Sequence, residues 1–461
     1  LQVEDADRAR AWLNGIIADV TTSAKWPDPK RKPRHSLNIA FTYTGLQRFG
    51  YEDTKGTFSR EFKEGMPDEN RARVLGDIGE SAPDKWELGG MSGPLSKDHL
   101  HILLMLYATD GAALDEQAAA QRQRLAEVGG LKELYVQDCF INAENQEPFG
   151  FRDGLSQPAV EGDGKHKAAA TQGAAASPGE APIRAGEFIL GYPNAYEQLP
   201  ITPTVPITSD PRNILPFVPP DPDQPDQPGS DDVKDFGQNG SYMVYRKLQQ
   251  DVAAFWNFMN QHGGSFEGGQ KLAAKFMGRW PSGAPLVLCP EKDDPAGAAH
   301  ASRLNDFMFH QEDEHGYKCP IGSHIRRSNP RDSLRPGPEE SLIVANRHRI
   351  IRRGRPYGVP DDSKAAKTDA PQGIIFIAIN ASIKRQFEFV QQTWVDDQKF
   401  DGLYDNKDGV TADNENLTVM IIQAQPVRKR IPGVPRFVQV RGGGYFFLPS
   451  VTALKYLAAG M

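Results

Sequence analysis

The chain has 461 residues, of which 39% are hydrophobic and 25% are charged, and its formal net charge is −7. This composition is typical of a soluble globular protein with enough apolar residues for a substantial core. No apolar run approaches the ~18–20 residues of a membrane-spanning helix. The negative net charge argues against a nucleic-acid-binding surface.

The cysteines and the first residues narrow the possibilities further. Cys139, Cys289 and Cys319 are too few for a disulfide framework. None of them lies in a CxxC or CxxCH motif, which excludes the common zinc motifs and covalent haem attachment. The polar opening Leu1–Arg10 has no apolar signal core, so no signal peptide is visible in this sequence. A cytoplasmic location is favoured, and secretion is the open alternative.

The first half of the chain alternates helical and strand-like patterns. Helices are indicated by apolar residues at helical spacing and strands by short apolar runs. In chain order, the patterns predict a helix at Arg8–Val20, a strand at Ser36–Tyr43, a short helix at Thr44–Phe49, a strand at His99–Thr109, a helix at Asp110–Val128 and a strand at Leu134–Asn142.

Two loop-like stretches, Lys165–Pro182 and Pro219–Gly240, separate this half from a second half with the same rhythm. The second half is predicted to contain strands at Ser241–Tyr245, Arg347–Arg352, Gly373–Ile379 and Gly444–Leu448, and helices at Leu248–His262, Lys271–Trp280, Ile383–Trp394 and Ser450–Ala459. The sequence therefore predicts an α+β protein with two similar halves.

Glu147–Pro158 (EPFGFRDGLSQP) places Gly150 and Gly154 on either side of Asp153. Glycines let the backbone approach a flat or bulky group closely and leave the carboxylate unobstructed. Taken alone, a Gly-Asp loop is more often an ordinary turn.

Cys319–Asp332 (CPIGSHIRRSNPRD) contains His324 among several arginines. A neutral imidazole is a common axial ligand of haem iron, and arginines can pair with haem propionates. The alternative is a solvated basic surface.

A third segment, Arg347–Gly358 (RHRIIRRGRPYG), contains adjacent arginines. In a strand, alternation directs Arg352 to one face and Arg353 to the other. The alternative is an edge strand with charged outer residues.

Together, in this order, these three segments resemble the dye-decolorizing peroxidase family. NIAFTYTGLQRFG, QFEFVQQTW and RGGGYFFLPS add similar segments, so the resemblance spans most of the chain, and its length resembles the larger, highly active branch. The resemblance implies two ferredoxin-like domains of the dimeric α+β barrel type. Residues 1–215 would carry the GxxDG loop, and residues 216–461 would bind most of one non-covalent haem b per chain.

The resemblance also implies roles for individual residues. His324 would be the proximal iron ligand, Asp153 the distal acid-base residue and Arg352 the distal arginine, with the adjacent Arg353 as the alternative. The further implied cofactor-binding residues are Arg331 at a propionate, Asn329 near the proximal histidine, Gly154 in the GxxDG loop, and Ile374 and Phe376 on the distal side. The carboxylate that should orient His324 is expected within Val395–Glu415 but is not identified.

The implied activity is reduction of hydrogen peroxide to water, coupled to one-electron oxidation of bulky aromatic donors such as dyes and phenols. Trp394 and Tyr357 match positions of surface electron-transfer residues, and a monomer or homodimer is expected. The alternatives are a related haem protein acting in iron release or on chlorite, a haem carrier, and a non-haem binding protein. Asp153 together with Arg352 favours the peroxidase, because chlorite-type sites use an arginine without the aspartate and a carrier needs no acid-base pair.

Overall fold

The computed structural model describes residues 1–24, 33–53, 55–162, 181–219, 232–300, 304–358, 371–414 and 418–460. Its strands are β1 (Gln2–Val3), β2 (His35–Phe41), β3 (Ile102–Ala108), β4 (Leu131–Lys132), β5 (Thr204–Pro206), β6 (Val233–Asp235), β7 (Ser241–Gln250), β8 (Ile351–Tyr357), β9 (Gly373–Asn380), β10 (Thr418–Ile422), β11 (Lys429–Val434) and β12 (Val438–Leu448). The predicted loop at Lys165–Pro182 lies almost wholly outside the described residues, and so does much of Pro219–Gly240.

The α-helices of the described residues are α1 (Ala6–Ile16), α2 (Tyr43–Arg48), α3 (Arg60–Glu64), α4 (Glu69–Leu75), α5 (Gly111–Val128), α6 (Val252–Gly263), α7 (Phe266–Met277), α8 (Pro295–Ala298), α9 (Phe309–Asp313), α10 (His324–Ser328), α11 (Pro338–Arg347) and α12 (Val451–Ala459). Several begin at a side chain that accepts a free backbone N–H of the first turn, namely Asp110, Asp251 and Ser450. The mixture of helices and antiparallel strands confirms the predicted α+β class.

One six-stranded antiparallel sheet runs through the molecule in the order β3-β2-β12-β7-β9-β8. β2 and β3 come from the first predicted domain and the other four strands from the second. The two groups meet where Phe447 of β12 pairs with Phe41 of β2. The boundary between residues 215 and 216 stays a prediction.

The largest hydrophobic core packs helices against this sheet. Trp12 of α1 and Leu454 of α12 are both at most 1% exposed, and they belong to one cluster with Phe41, Tyr242 and Phe447 of the sheet. Burial of such large side chains contributes on the order of 25 cal/mol per Å² of apolar surface removed from water. No helix among the described residues is long and apolar enough to cross a membrane.

Several predicted elements differ from the structure. Strand β7 continues through Gln250, so the helix predicted at Leu248–His262 begins only at Val252. Leu134–Asn142 is not a strand: its Tyr135 and Cys139 pack on an apolar cluster of the sheet, and its main chain bonds to a strand through Phe140 N–H and the Pro356 carbonyl (3.0 Å). The strand predicted at Arg347–Arg352 begins later, because Pro338 and two glutamates start helix α11 before it. Ile383–Trp394 is helical, but with π-helical turns at Lys384–Glu388 and Val390–Val395.

Candidate functional site

A cavity lies against one face of the sheet. Alternate residues of the strands form one wall, among them Leu248 of β7, Gly354 of β8 and Phe376 of β9. His324 of α10 and Val410 lie in the rest of the lining. Apart from a few polar and charged side chains, most of the surface of the cavity is apolar. This is usual for a site that binds a large organic group.

Asp153 and Arg352 meet at this cavity although 198 residues of chain separate them. Arg352 Nη1 donates to Asp153 Oδ1 at 2.8 Å, and the two side chains remain partly exposed (33% and 21%). Gly150 and Gly154 both have positive φ, 91° and 75°, so the loop turns tightly on either side of Asp153. The structure thus brings together the two residues that the sequence predicts as a pair.

Gly354 leaves the space that the Asp153 carboxylate occupies. A Cβ atom at residue 354 would lie 2.2 Å from Asp153 Oδ2, a separation no real Cβ contact allows. The absence of a side chain on β8 therefore lets Asp153 approach the strand next to Arg352.

We expect Gly354→Ala to displace the Asp153 carboxylate and slow any reaction that depends on it by about 10²-fold, because misplacement of about 1 Å can cost that much. The measurement is the rate of the peroxide reaction that the sequence resemblance implies, after addition of hemin. The matched control is Gly111→Ala, where no atom lies within 4 Å of the added Cβ and the helix should gain stability. An unchanged rate in Gly354→Ala would show that the carboxylate does not act from this position.

Glu147 fixes the start of the Asp153 loop. Its buried carboxylate accepts the N–H groups of Phe149 (3.0 Å) and Phe151 (2.8 Å) and the side-chain amide of Gln250 on β7 (2.6 Å). Burial raises the pKa of Glu147 to about 7, although these three hydrogen bonds lower it.

The raised pKa of Glu147 predicts a pH dependence of folding stability. The pKa of Glu147 in the folded chain exceeds the ordinary value of 4.5. The contribution of protonated Glu147 to the free energy of unfolding is therefore fully present below about pH 4.5 and is lost as the pH rises through about 7. It amounts to at most about 3 kcal/mol. We expect Glu147→Gln to flatten the fall in the free energy of unfolding over this range, measured by urea unfolding. Burial also raises the pKa of Asp77 and of Asp396, so the difference between the variant and the unmodified chain is the quantity to compare.

His324 is the first residue of α10, and its ring is oriented by Asp408. His324 Nδ1 lies 3.0 Å from Asp408 Oδ2, and the other carboxylate oxygen of Asp408 accepts the N–H groups of Val410 and Thr411, both at 2.8 Å. A proton on Nδ1 completes the bond to the carboxylate and leaves the lone pair of Nε2 free for a metal. The His324 side chain is 31% exposed, whereas the Asp408 side chain is fully buried.

Asp408 supplies the carboxylate that the sequence could place only within Val395–Glu415. Burial by itself would raise the pKa of Asp408, but the charge and hydrogen bond of His324, the Thr411 N–H and the charge of Arg327 outweigh it and lower the pKa. Asp408 therefore stays ionised beside the imidazole. Asp408 lies in a turn with the following Gly409, and its carboxylate accepts two N–H groups there. Several other acidic residues of Val395–Glu415 have similar neighbours in the sequence, so the sequence alone does not identify Asp408.

Ile374 and Phe376 lie on β9 and line the cavity, and their part in binding a cofactor stays a prediction. Arg352 also lines the cavity, whereas Arg353 is exposed and stacks on Tyr107 at 5.4 Å. Strand alternation therefore directs Arg352, and not Arg353, to the cavity.

Three predicted cofactor-binding residues, Gly154, Asn329 and Arg331, do not line the cavity of the described residues. Arg331 Nη1 donates to the carbonyls of Asn305 (2.8 Å) and Phe307 (2.7 Å), and its guanidinium lies 4.0 Å from the Phe307 ring. These contacts hold Arg331 in the core. The residues next to Gly154 and Asn329 in the sequence do line the cavity, namely Asp153, Leu155 and Ser328.

The prediction that Trp394 and Tyr357 are surface residues is wrong. Each is only 4% exposed. Trp394 packs edge-on against His348 and Phe389, both at 5.3 Å, and Tyr357 belongs to the apolar cluster on the sheet face away from Arg352. The spacing of a helix or strand gives the face of a residue but not what covers that face.

Positive charge surrounds the Asp153–Arg352 pair. Burial and then the charge of Arg352 lower the pKa of Arg279 to about 10, and burial followed by the charges of Arg331 and Arg352 lowers the pKa of Arg349 to about 9. A concentration of guanidinium groups suits an anionic ligand. No three His, Cys, Asp or Glu side chains of the described residues lie close enough together to hold a metal ion. Because Asp408 engages Nδ1, His324 can offer Nε2 as a ligand to a metal carried by a cofactor.

Three comparisons with known proteins were informative to different degrees. No protein-family model matches the chain, but individual proteins do. The chain is 28% identical to a dye-decolorizing peroxidase of Mycena epipterygia, over 99% of this chain and 82% of that protein, and 28% identical to one of Auricularia auricula-judae, over 98% and 81%. A multifunctional dye peroxidase of Amycolatopsis is 32% identical, over 47% of this chain and 49% of its own length.

Solved structures extend the comparison to the fold. A dye-decolorizing peroxidase whose haem pocket was engineered for asymmetric sulfoxidation superimposes with a TM-score of 0.77 and 26% identity, covering 99% of this chain and 94% of that one. An ancestral D-type dye-decolorizing peroxidase gives 0.74 and 27%, covering 98% and 93%. These likenesses confirm the predicted ferredoxin-like α+β fold class.

Proposed function

Because the chain belongs to the dye-decolorizing peroxidase family, we propose that it reduces hydrogen peroxide to water and oxidises aromatic donors such as dyes and phenols in one-electron steps. The observation that carries the proposal is that one cavity is lined both by the Asp153–Arg352 pair and by His324 with its Asp408 partner. A protein that only stores or carries haem would need His324 and its partner, but it would have no use for the Asp153–Arg352 acid-base pair.

The donor set of the cavity fits one non-covalent haem b per chain. His324 would bind the iron through Nε2 because Asp408 engages Nδ1. The apolar residues Ile374, Phe376 and Leu248 would pack against the porphyrin, and the positive surroundings of Arg352 complement propionate charge. When bound, haem would supply the redox-active iron that accepts two oxidising equivalents from peroxide.

Asp153 would move the proton that the reaction requires. Its carboxylate accepts a proton from one peroxide oxygen and returns it to the other, so that water can leave. Arg352, already 2.8 Å from the carboxylate, orients Asp153 and stabilises negative charge that develops on the departing oxygen. With haem bound, Ile374 and Phe376 of the cavity lining would narrow the apolar space beside the pair and so limit access of water and of bulky donors.

Bulky donors would therefore deliver electrons from outside the cavity. Trp394 is adjacent to Val395, which lines the cavity, so we propose it as an internal electron relay and not as a surface residue. Tyr357 stays a second candidate on the other face of β8. A monomeric or homodimeric state and a cytoplasmic location stay predictions.

The test is a steady-state assay with a bulky dye and a small phenol. We expect oxidation of both that requires added hemin and hydrogen peroxide together. The matched variant Trp394→Phe should lose dye oxidation more than its reaction with peroxide. If the chain binds hemin tightly but consumes no peroxide, the result would contradict the proposed peroxidase activity and favour a haem carrier.

A further inference from the structure

Gln157 bonds to the main chain of Arg352 in both directions. Its side-chain Nε2 donates to the Arg352 carbonyl, and its Oε1 accepts the Arg352 N–H at 3.2 Å. β8 is an edge strand of the six-stranded sheet, so among the described residues its side away from β9 has no strand partner. The carboxamide of Gln157 thus takes the place of a neighbouring strand at one residue.

The same loop touches Arg352 a second time. Asp153, four residues before Gln157, accepts the Arg352 guanidinium at 2.8 Å. One residue of the strand is therefore held by the loop at both its main chain and its side chain. Within the loop, the Asp153 N–H donates to the Asn145 carbonyl at 3.0 Å, and this bond stabilises the loop conformation.

A partly exposed ion pair contributes little by itself to holding two segments in register. The two main-chain bonds of Gln157 are directional and fix the strand relative to the loop in a way that one flexible guanidinium does not. Pro158 follows Gln157, and a residue before proline favours an extended backbone.

We propose that Gln157 is a positioning residue: it locks Arg352 of β8 to the loop that carries Asp153, so that the carboxylate and the guanidinium stay aligned at the cavity. The proposal rests on the proposed peroxidase function for its consequence in catalysis.

The first test needs no haem. We compare hydrogen exchange of the backbone amides of Arg352 and Asp153 in the unmodified chain and in Gln157→Leu, which keeps the size of the side chain but removes both bonds. We expect exchange at both amides to accelerate at least tenfold. The matched control is Gln123→Leu, an exposed glutamine of α5 that bonds to Glu127. Acceleration at Arg352 alone, with Asp153 unchanged, would overturn the proposal.

The second test is a double-mutant cycle on the hemin-loaded protein, with the rate of reaction with peroxide as readout. Gln157→Leu alone should slow the reaction about ten- to a hundredfold, and it should have no further effect in an Asp153→Asn background. A general structural role would lower the rate by the same factor in both backgrounds and would overturn the proposal. A chain that takes up hemin but ignores peroxide would contradict the proposed function instead, and the exchange experiment would still decide the role of Gln157.

Discussion

Replacing Asp153 with asparagine is expected to slow the reaction of the hemin-loaded protein with hydrogen peroxide by about 10²- to 10⁴-fold, the usual contribution of a general acid-base group. Asparagine has nearly the same size, and its Oδ1 can still accept the Arg352 Nη1 bond seen at 2.8 Å. It cannot, however, take up the proton that must move between the peroxide oxygens. Stopped-flow absorption measures the rate directly.

The matched control for Asp153→Asn is Asp138→Asn, an exposed aspartate that does not line the cavity. This change should leave the rate unaltered. Haem content should be equal in both variants, because Asp153 is not expected to bind the iron. A rate in Asp153→Asn equal to that of the unmodified chain would contradict the role given to this carboxylate.

Asp408→Asn is expected to weaken hemin binding, or to slow the reaction with peroxide, by about 10- to 100-fold, as the loss of an outer partner of a metal-bound histidine typically does. The Asp408 carboxylate accepts two backbone N–H groups through one oxygen and faces His324 Nδ1 with the other. An asparagine that keeps the backbone bonds turns its NH₂ group toward Nδ1. His324 would then carry its proton on Nε2, where the iron must bind.

Hemin titration into the haem-free protein measures this effect as a change in apparent affinity. The control is Asp405→Asn, which replaces an exposed aspartate of the same segment. Asp405 has a φ of 56°, a conformation that asparagine adopts readily, so no loss is expected there. Equal affinities for the Asp408 variant and the unmodified chain would show that this carboxylate does not orient the ligand.

The residues with local sequence signals could be predicted. Asp153 lies between two glycines, His324 lies in an arginine-rich segment, and strand alternation distinguishes Arg352 from Arg353. The structure brings all three predicted principal residues to one cavity. These signals can be recognised in the sequence because each depends only on the backbone conformation or the side-chain direction of its own segment.

The residues that depend on distant parts of the chain could not be predicted. Asp408 contacts His324 across 84 residues, and Gln157 contacts Arg352 across 195 residues. The burial of Trp394 depends on His348 and Phe389, and Arg331 turns to the carbonyls of Asn305 and Phe307. No periodicity within one segment reveals which other segment will cover it.

The fold shows the same division. The predicted strand Gly373–Ile379 agrees with β9 to within one residue, because this continuous apolar run lies in the interior of the sheet. Leu134–Asn142 is also apolar in part, yet it forms no ladder, since only the tertiary arrangement determines whether an apolar segment pairs with a strand or packs beside it.

The most direct test of the account is a hemin titration of the haem-free protein, followed by visible absorption, for the unmodified chain and for His324→Ala. We predict an intense haem band that saturates at one hemin per chain, changes on addition of hydrogen peroxide, and is weakened and shifted in His324→Ala. A chain that forms no such band, or a His324→Ala variant with the same affinity and spectrum as the unmodified chain, would contradict the assignment of this cavity as a haem site with His324 as its ligand.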